Sequence, residues 1–208
     1  MTEDTERRPP PRGDRRRAAL LESLDHFLQD GPHSLESINI ADISRRAGVT
    51  RSAFYFYFEN KAAAVAALME AMYDEAFEAT DVLVGEGEPR ARIEGTIQGL
   101  FGAWDRHQHV YRAMLEARAT SPAVRQMWES DRQSFVPHVA GMIVAEREAG
   151  HAPPGPDAVT LATVLLELND RALERLTLGG PLSREEHVEA LVHIWLSAIY
   201  GSVPGSKP

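Results

Sequence analysis

Cysteine is absent from this 208-residue chain, which excludes disulfides, thiolate metal sites and a cysteine nucleophile. No apolar run approaches the ~20 residues that a membrane-spanning helix needs. The opening residues, Met1-Thr2-Glu3-Asp4, are acidic and polar, unlike a secretory leader. A soluble cytoplasmic protein with no membrane attachment is therefore expected. Period-two alternation is missing as well, so no stretch reads convincingly as a strand. Catalytic motifs are also lacking: there is no nucleophile elbow, no glycine-rich phosphate loop and no His/Glu metal motif. His107 and His109 fall about 200° apart on a helix, and His187 and His193 lie on different faces. No catalytic residue, metal site or cofactor is expected, and the protein is read as a non-enzyme.

Positive charge is in short supply overall, with a formal net charge of −9. Its distribution is uneven. Residues 1–60 hold nine Arg against ten acids, whereas the remaining 148 hold thirteen Lys or Arg against twenty-one acids. From Arg45 to Phe58 there are three arginines and no acid, and five aromatics occupy 54–58. Attraction to DNA depends on the local field, which decays within ~8–10 Å at ordinary salt. A basic edge on an acidic body can therefore still meet DNA, with modest and salt-sensitive non-specific affinity.

That basic, aromatic stretch carries the pattern on which the chain is organised. Ile43 and Ala47 share one face of a short helix, Gly48 stops it, and Thr50 is placed to cap a second helix over roughly Arg51 to Tyr57. Two short helices joined by a tight turn containing Gly form a helix-turn-helix, whose second helix enters the major groove. An ordinary helical corner, with Arg on solvent and aromatics in the core, is the plainer alternative. Ala47-Gly48-Val49-Thr50, followed by Phe54-Tyr55, Tyr57-Phe58 and Lys61, resembles the signature of TetR-type transcriptional repressors. Ser44 departs from the Ala usual in that family, but it is nearly as small and its hydroxyl can bond back to a helix carbonyl. The resemblance implies a DNA-binding set of Asn39, Arg46, Thr50, Arg51, Ser52, Ala53, Tyr55, Tyr57 and Lys61. Phosphate contacts by Asn39, Tyr57 and Lys61 would fix register, while Arg51, Ser52 and Tyr55 reach bases.

The rest reads as helix. Residues 1–13, with Pro9-Pro10-Pro11 and a run of arginines, read as a disordered arm that either tracks DNA phosphates or, the favoured reading, is a solvated tail. Asp14 is placed to cap a first helix with apolar positions Ala18, Leu21, Leu24 and Leu28, ended by Gly31-Pro32. A long alanine-rich helix follows from Lys61 to about Val84, then a break at Gly85–Pro89 and helices near 89–106, 108–119, 121–150, 157–178 and 183–201. The expectation is an all-α protein of about nine helices. It comprises the arm, a three-helix DNA-binding head over 14–60, and a C-terminal helical bundle for ligand binding and dimerisation over 61–208.

Gly95, Gly99 and Gly102 share one helix face, which admits two explanations: a neighbour packed very close, or a groove open to an apolar molecule. Phe101, Trp104, Tyr111, Met114, Trp128, Phe135 and Met142 follow, and aromatic and Met linings suit apolar ligands. Plain core is the commoner explanation of such residues at helical spacing. The TetR resemblance implies an inducer cavity in this bundle. Ala117–Ser121, Leu168-Asn169-Asp170-Arg171 and His193–Gly201 are similar to the EthR branch, which carries a mostly apolar tunnel. The ligand set then comprises Gly95, Gly99, Phe101, Trp104, Tyr111, Met114, Trp128, Phe135, Met142, Leu166, Asn169 and Trp195, with Asn169 as polar anchor. The last two helices are apolar on more than one side, as in Val159, Leu161, Leu165 and Leu168 or Val188, Leu191, Trp195 and Ile199, so a homodimer through them is expected. Together these features predict a ligand-responsive repressor that binds a palindromic double-stranded operator as a dimer and is released by a small apolar inducer. A purely structural helical adaptor is the rival, and it leaves the Arg-aromatic helix unexplained.

Overall fold

The computed structural model describes residues 12–30 and 34–201, and all its regular elements are helical. Helix α1 spans Arg12–Gln29, a 3-10 turn Leu35–Ser37, α2 Ile40–Arg46, α3 Arg51–Tyr57 and α4 Lys61–Val84. The body adds α5 Pro89–Arg106, α6 Gln108–Thr120, α7 Pro122–Glu148, α8 Ala158–Thr177 and α9 Arg184–Tyr200. The proline-rich arm and the Gly31-Pro32 break fall outside the described residues, apart from the arm's last two positions, which already belong to α1. Because α1 begins at Arg12, Asp14 is a first-turn residue rather than a cap; its carboxylate still sits favourably against the positive end of the helix dipole.

Local chemistry sets most of the boundaries. Asn39 Oδ1 accepts from the Ala41 amide at 2.9 Å, and Thr50 Oγ1 from the Ala53 amide at 3.2 Å. Asn60 caps α4, Ser121 caps α7 just before Pro122, and Ser183 with Glu186 closes a capping box on α9. Gly48 takes φ +66°, and the Val49 amide turns back to the Ser44 carbonyl at 3.0 Å. This left-handed residue ends α2 and aims α3. Pro137 lies inside α7, where its missing amide leaves the Gln133 carbonyl without its helical donor.

A continuous apolar core runs from head to body. In the head, Leu20, Leu24 and Leu28 of α1 recur every four residues and meet Ile43, Phe54 and Phe58. Ala18, expected inward, is exposed. The Ser23 hydroxyl donates to the Ile43 carbonyl at 2.9 Å, and the small Ser44 donates to the Ile40 carbonyl at 2.8 Å, as its position opposite α1 requires. In the body, α4 lies along α5 and is flanked by α6 and α7; α8 covers α7, and α9 covers α5.

The glycine face of α5 serves the α4–α5 contact. A Cβ on Gly99 would come within 2.7 Å of Ala79 Cβ, and one on Gly95 within 3.1 Å of Val82 Cγ1. Of the two explanations for this face, close packing holds at these two positions. Gly99→Ala should therefore lower stability by about 1–3 kcal/mol, because two rigid Cβ atoms force the helices apart and outweigh the gain in helix propensity. Chemical denaturation measures it; a variant as stable as the parent would mean that α4 and α5 part without penalty.

Candidate functional site

Most of the expected DNA-facing residues are accessible on the head. Arg46, Thr50, Arg51, Ser52 and Asn39 are exposed, Tyr55 is about half exposed, and Ala53 and Tyr57 are half-buried. Phe54 of α3 and Phe58 just beyond it face the core, so the turns that carry Arg51, Ser52 and Tyr55 face outward. The Arg51 guanidinium donates to the Tyr55 hydroxyl at 3.3 Å and lies 5.7 Å from its ring centroid, which holds two of the expected base-facing groups together. Asn39 and Thr50 each use their side-chain oxygen on a helix cap, so further contacts fall to the Asn39 amide nitrogen and the Thr50 hydroxyl proton. Phe56, missed in the sequence reading, is 81% exposed on the same short helix. Its position 200° around from Phe54 was the available signal.

Lys61 has a different job from the one expected. Its ammonium donates to the carbonyls of Leu35, Glu36 and Ile38 at 2.6, 2.8 and 2.8 Å. All three protons are therefore engaged inside the chain, and a phosphate would have to displace a carbonyl. These contacts also relieve the conflict of a cation at a helix N-terminus. Desolvation lowers the Lys61 pKa, opposed by Glu36 and Glu116. Glu116 of α6 accepts from the Leu35 amide at 2.7 Å, and His109 of α6 meets Asp25 of α1 at 2.7 Å. The connector between α1 and α2 is thus held from both α4 and α6. Lys61→Met should cost about 1–3 kcal/mol of stability and weaken DNA binding without altering its salt dependence. A lost phosphate contact would instead reduce the slope of log K against log salt by about 0.9, so a salt titration separates the two.

A cavity of about 70 Å³ lies inside the bundle. Helix α4 contributes Met69, Met72, Tyr73, Ala76 and Thr80, and α5 contributes Thr96 and Leu100. Tyr111, Trp128, Arg132, Phe135 and Val139 come from α6 and α7, and Leu166, Asn169, Asp170, Leu173 and Trp195 from α8 and α9. Six residues of the expected ligand set meet there: Tyr111, Trp128, Phe135, Leu166, Asn169 and Trp195. Gly95 and Gly99 do not, since their face is closed against α4 while Thr96 and Leu100, one helical step on, face the space. Phe101, Trp104, Met114 and Met142 are buried in core packing elsewhere, Trp104 donating to Thr177 at 2.9 Å. The α4 contribution was missed because a stripe of Met and Ala on a long helix reads as ordinary core.

The cavity has a polar side. Asn169 accepts from the Trp195 indole at 3.2 Å, so its oxygen is satisfied within the fold, while its amide nitrogen meets no protein acceptor among the described residues. The Tyr111 hydroxyl is fully buried with no partner among the described residues, and burial pushes its pKa well up. Burial also raises Tyr73, and raises Asp170 to about 7 despite the attraction of Arg132 and Arg118. Phe77 of α4 stacks on Phe135 at 4.0 Å, tying one wall of the cavity to the helix that leaves the head.

This head and bundle define a class of helix-turn-helix regulator, and the family models agree. Residues 29–80 match "Bacterial regulatory proteins, tetR family" and residues 93–201 match "Transcriptional regulator EthR, C-terminal domain". The chain belongs to the TetR family of transcriptional regulators, which bind DNA, typically act as dimers and are not enzymes. It is 35% identical to the HTH-type transcriptional regulator EthR of Mycobacterium tuberculosis H37Rv over 92% of this chain and 90% of that protein. It is 33% identical to EthR of Mycolicibacterium smegmatis over 93% and 90%. Among solved structures, NalD, the secondary repressor of the MexAB-OprM multidrug efflux pump in Pseudomonas aeruginosa, superposes with a TM-score of 0.66 at 16% identity, covering 91% of this chain and 98% of that one. The TetR-family regulator PfmR from Thermus thermophilus gives 0.62 at 14% identity, covering 89% and 98%. No helix among the described residues is long and apolar enough to cross a membrane.

Proposed function

We propose that this protein is a ligand-responsive repressor: a homodimer grips a palindromic operator with its two α3 helices, and a small apolar molecule in the bundle releases it. The observation that carries this reading is the double role of α4. Its first residue, Lys61, holds the head, and five residues further along it wall the cavity. The open space is about 70 Å³, far below the ~300–1,000 Å³ typical of ligand pockets. An effector therefore has to widen the site, and α4 and α7, already stacked through Phe77 and Phe135, are the walls that part. Ligand shifts the equilibrium only by binding the widened state better than the closed one.

The dimer reading is supported by apolar surface left on the last two helices. Val164 and Leu168 of α8 and Ile194 of α9 stay exposed, as do Ala190 and Ala198 on the Ile194 side. Most of the other apolar positions named in these helices, such as Leu165, Leu191, Trp195 and Ile199, are consumed by the subunit's own core. Two-fold pairing would set the α3 helices on successive turns of the major groove. The head takes residues 14–60 and the ligand-binding and dimerising body 61–208, a division that the Lys61 contacts bridge.

In this reading Arg51, Ser52 and Tyr55 read bases, Arg46, Asn39 and Tyr57 meet phosphates, and Thr50 and Ala53 set the approach of α3. Arg51→Ala should weaken operator binding by about 1–3 kcal/mol while leaving non-specific DNA nearly untouched. Footprinting of the DNA upstream of the gene checks the head, and denaturation midpoints across apolar ketones, esters and fatty acyl compounds check the cavity. A parental footprint from the Arg51 variant, or midpoints flat across the whole panel, would overturn the corresponding half.

A further inference from the structure

We propose that the effector of this cavity is an apolar amine, its ammonium held between the Asp170 carboxylate and the Tyr111 hydroxyl and its hydrocarbon part among the Met and aromatic side chains. The inference rests on the reading of the bundle cavity as the effector site, and it adds the chemical class of the molecule.

Three observations converge. First, Tyr111 is only 2% exposed and lines the cavity, yet its hydroxyl has no partner among the described residues. A buried hydroxyl is normally paired, so this one is left available to something that enters. Second, Asp170 lines the same cavity as Tyr111 and Tyr73. Third, the arginine beside Asp170 is shared with other carboxylates. Arg132 Nε is 3.5 Å from Asp170 Oδ2 and is left without a hydrogen bond, while the same guanidinium also contacts Glu129 and Glu167. One cation thus faces three carboxylates. The next arginine, Arg118, is 3.6 Å from Glu174 and lies over the Trp128 ring at 5.0 Å.

Asp170 beside aromatic rings suits a cation, because Arg132, the cation that lines the same cavity, is also engaged by Glu129 and Glu167, neither of which lines it. Tyr111 packs edge-on to Trp128 at 5.3 Å between centroids, so an ammonium at Asp170 also meets π-faces. Tyr111 can accept from that ammonium, because a phenol oxygen has lone pairs as well as a proton. An effector carboxylate would have to compete with Glu129, Glu167 and Asp170 for Arg132, which is disfavoured by like charge.

The test compares octylamine, 1-octanol and octanoate, which share one chain and differ in head group. Binding to the full-length protein is followed by calorimetry and by tryptophan fluorescence, since Trp128 and Trp195 line the cavity. The amine should bind about tenfold tighter than the alcohol, the scale of one charge-assisted hydrogen bond, and octanoate weakest. Asp170→Asn should abolish the amine's advantage and leave octanol affinity within about twofold. Tyr111→Phe should weaken the amine several-fold while the unliganded protein melts no earlier than the parent, since an unpaired hydroxyl is removed; circular dichroism confirms that both variants fold. Equal affinity for amine and alcohol, unchanged by Asp170→Asn, would overturn the proposal and leave the apolar effector site standing. Preference for octanoate would overturn it in favour of Arg132, and failure of all three to bind would remove the effector site together with this inference. If Asp170→Asn does not fold, the ranking of the three head groups on the parent protein decides.

Discussion

Exchanging Glu146 for alanine is expected to lower the stability of the folded protein by about 3–5 kcal/mol, the usual penalty when one member of a buried ion pair is deleted. Glu146 and Arg92 join α7 to α5 at 2.5 Å, with side chains only 10% and 12% exposed. The Arg92 guanidinium also donates to the Leu83 carbonyl at 3.2 Å, and touches the Gly85 carbonyl at 3.4 Å and the Tyr200 hydroxyl at 3.5 Å. One side chain therefore gathers the end of α4, the start of α5, the last turns of α7 and the end of α9. Glu146 raises the Tyr200 pKa further after burial has done most of it, to about 12, so the phenol stays a neutral member of the cluster. Alanine at 146 leaves the guanidinium buried and unpaired, and that residual charge, rather than the lost contact, dominates the penalty. Urea denaturation measures it, and a loss under about 1 kcal/mol would show that water reaches Arg92 and screens it. The double exchange Arg92→Met with Glu146→Leu should recover most of the loss, because Arg92 Nε and Glu146 Oε2 already lack partners and the charged pair is imperfectly satisfied.

Phe54→Ala should weaken operator binding strongly although the Phe54 ring is buried away from the surface. The ring is fully buried, packs at 5.6 Å on Phe58, and belongs to the small cluster with Leu24 and Ile43 that fixes α3 against α1 and α2. Deleting a buried Phe costs about 3–5 kcal/mol, and a head of three short helices has little else to absorb it. The change falls at the head end of the continuous core and leaves its body end untouched, so the head should melt first and unfolding should split into two steps. Operator affinity should fall by more than about tenfold, while tryptophan fluorescence from the body is retained, since no tryptophan lies in the head. A variant that unfolds in one transition at the parental midpoint and binds DNA as before would show that Phe54 is not what holds α3.

How much of this was legible beforehand depends on the range of the force concerned. The cap at Thr50, the left-handed turn at Gly48 and the start of α4 at Lys61 are effects within four or five residues, and they read directly from the chain. So did Ser44, whose small size and back-bonding hydroxyl are intrinsic. Phase errors arose where a periodicity was right and its orientation was not. The α1 stripe runs through Leu20 rather than Ala18, and the exposed Phe56 went unremarked beside its buried neighbours.

The all-helical class, the head with its helix-turn-helix and the family follow from the sequence by itself, because they rest on short-range caps, turns and residue spacing. Tertiary structure decided what those elements meet. Gly95 and Gly99 could close on a neighbour or open a groove, and only the position of Ala79 and Val82 on α4 shows that they close. Lys61 could have reached a phosphate, and the carbonyls of a connector more than twenty residues earlier claimed it instead. The cavity draws its walls from six helices, α4 to α9, and a helical period gives the face a residue occupies but never the partner across from it. For that reason the unpartnered Tyr111 hydroxyl and its neighbour Asp170 became visible only once the chain was folded.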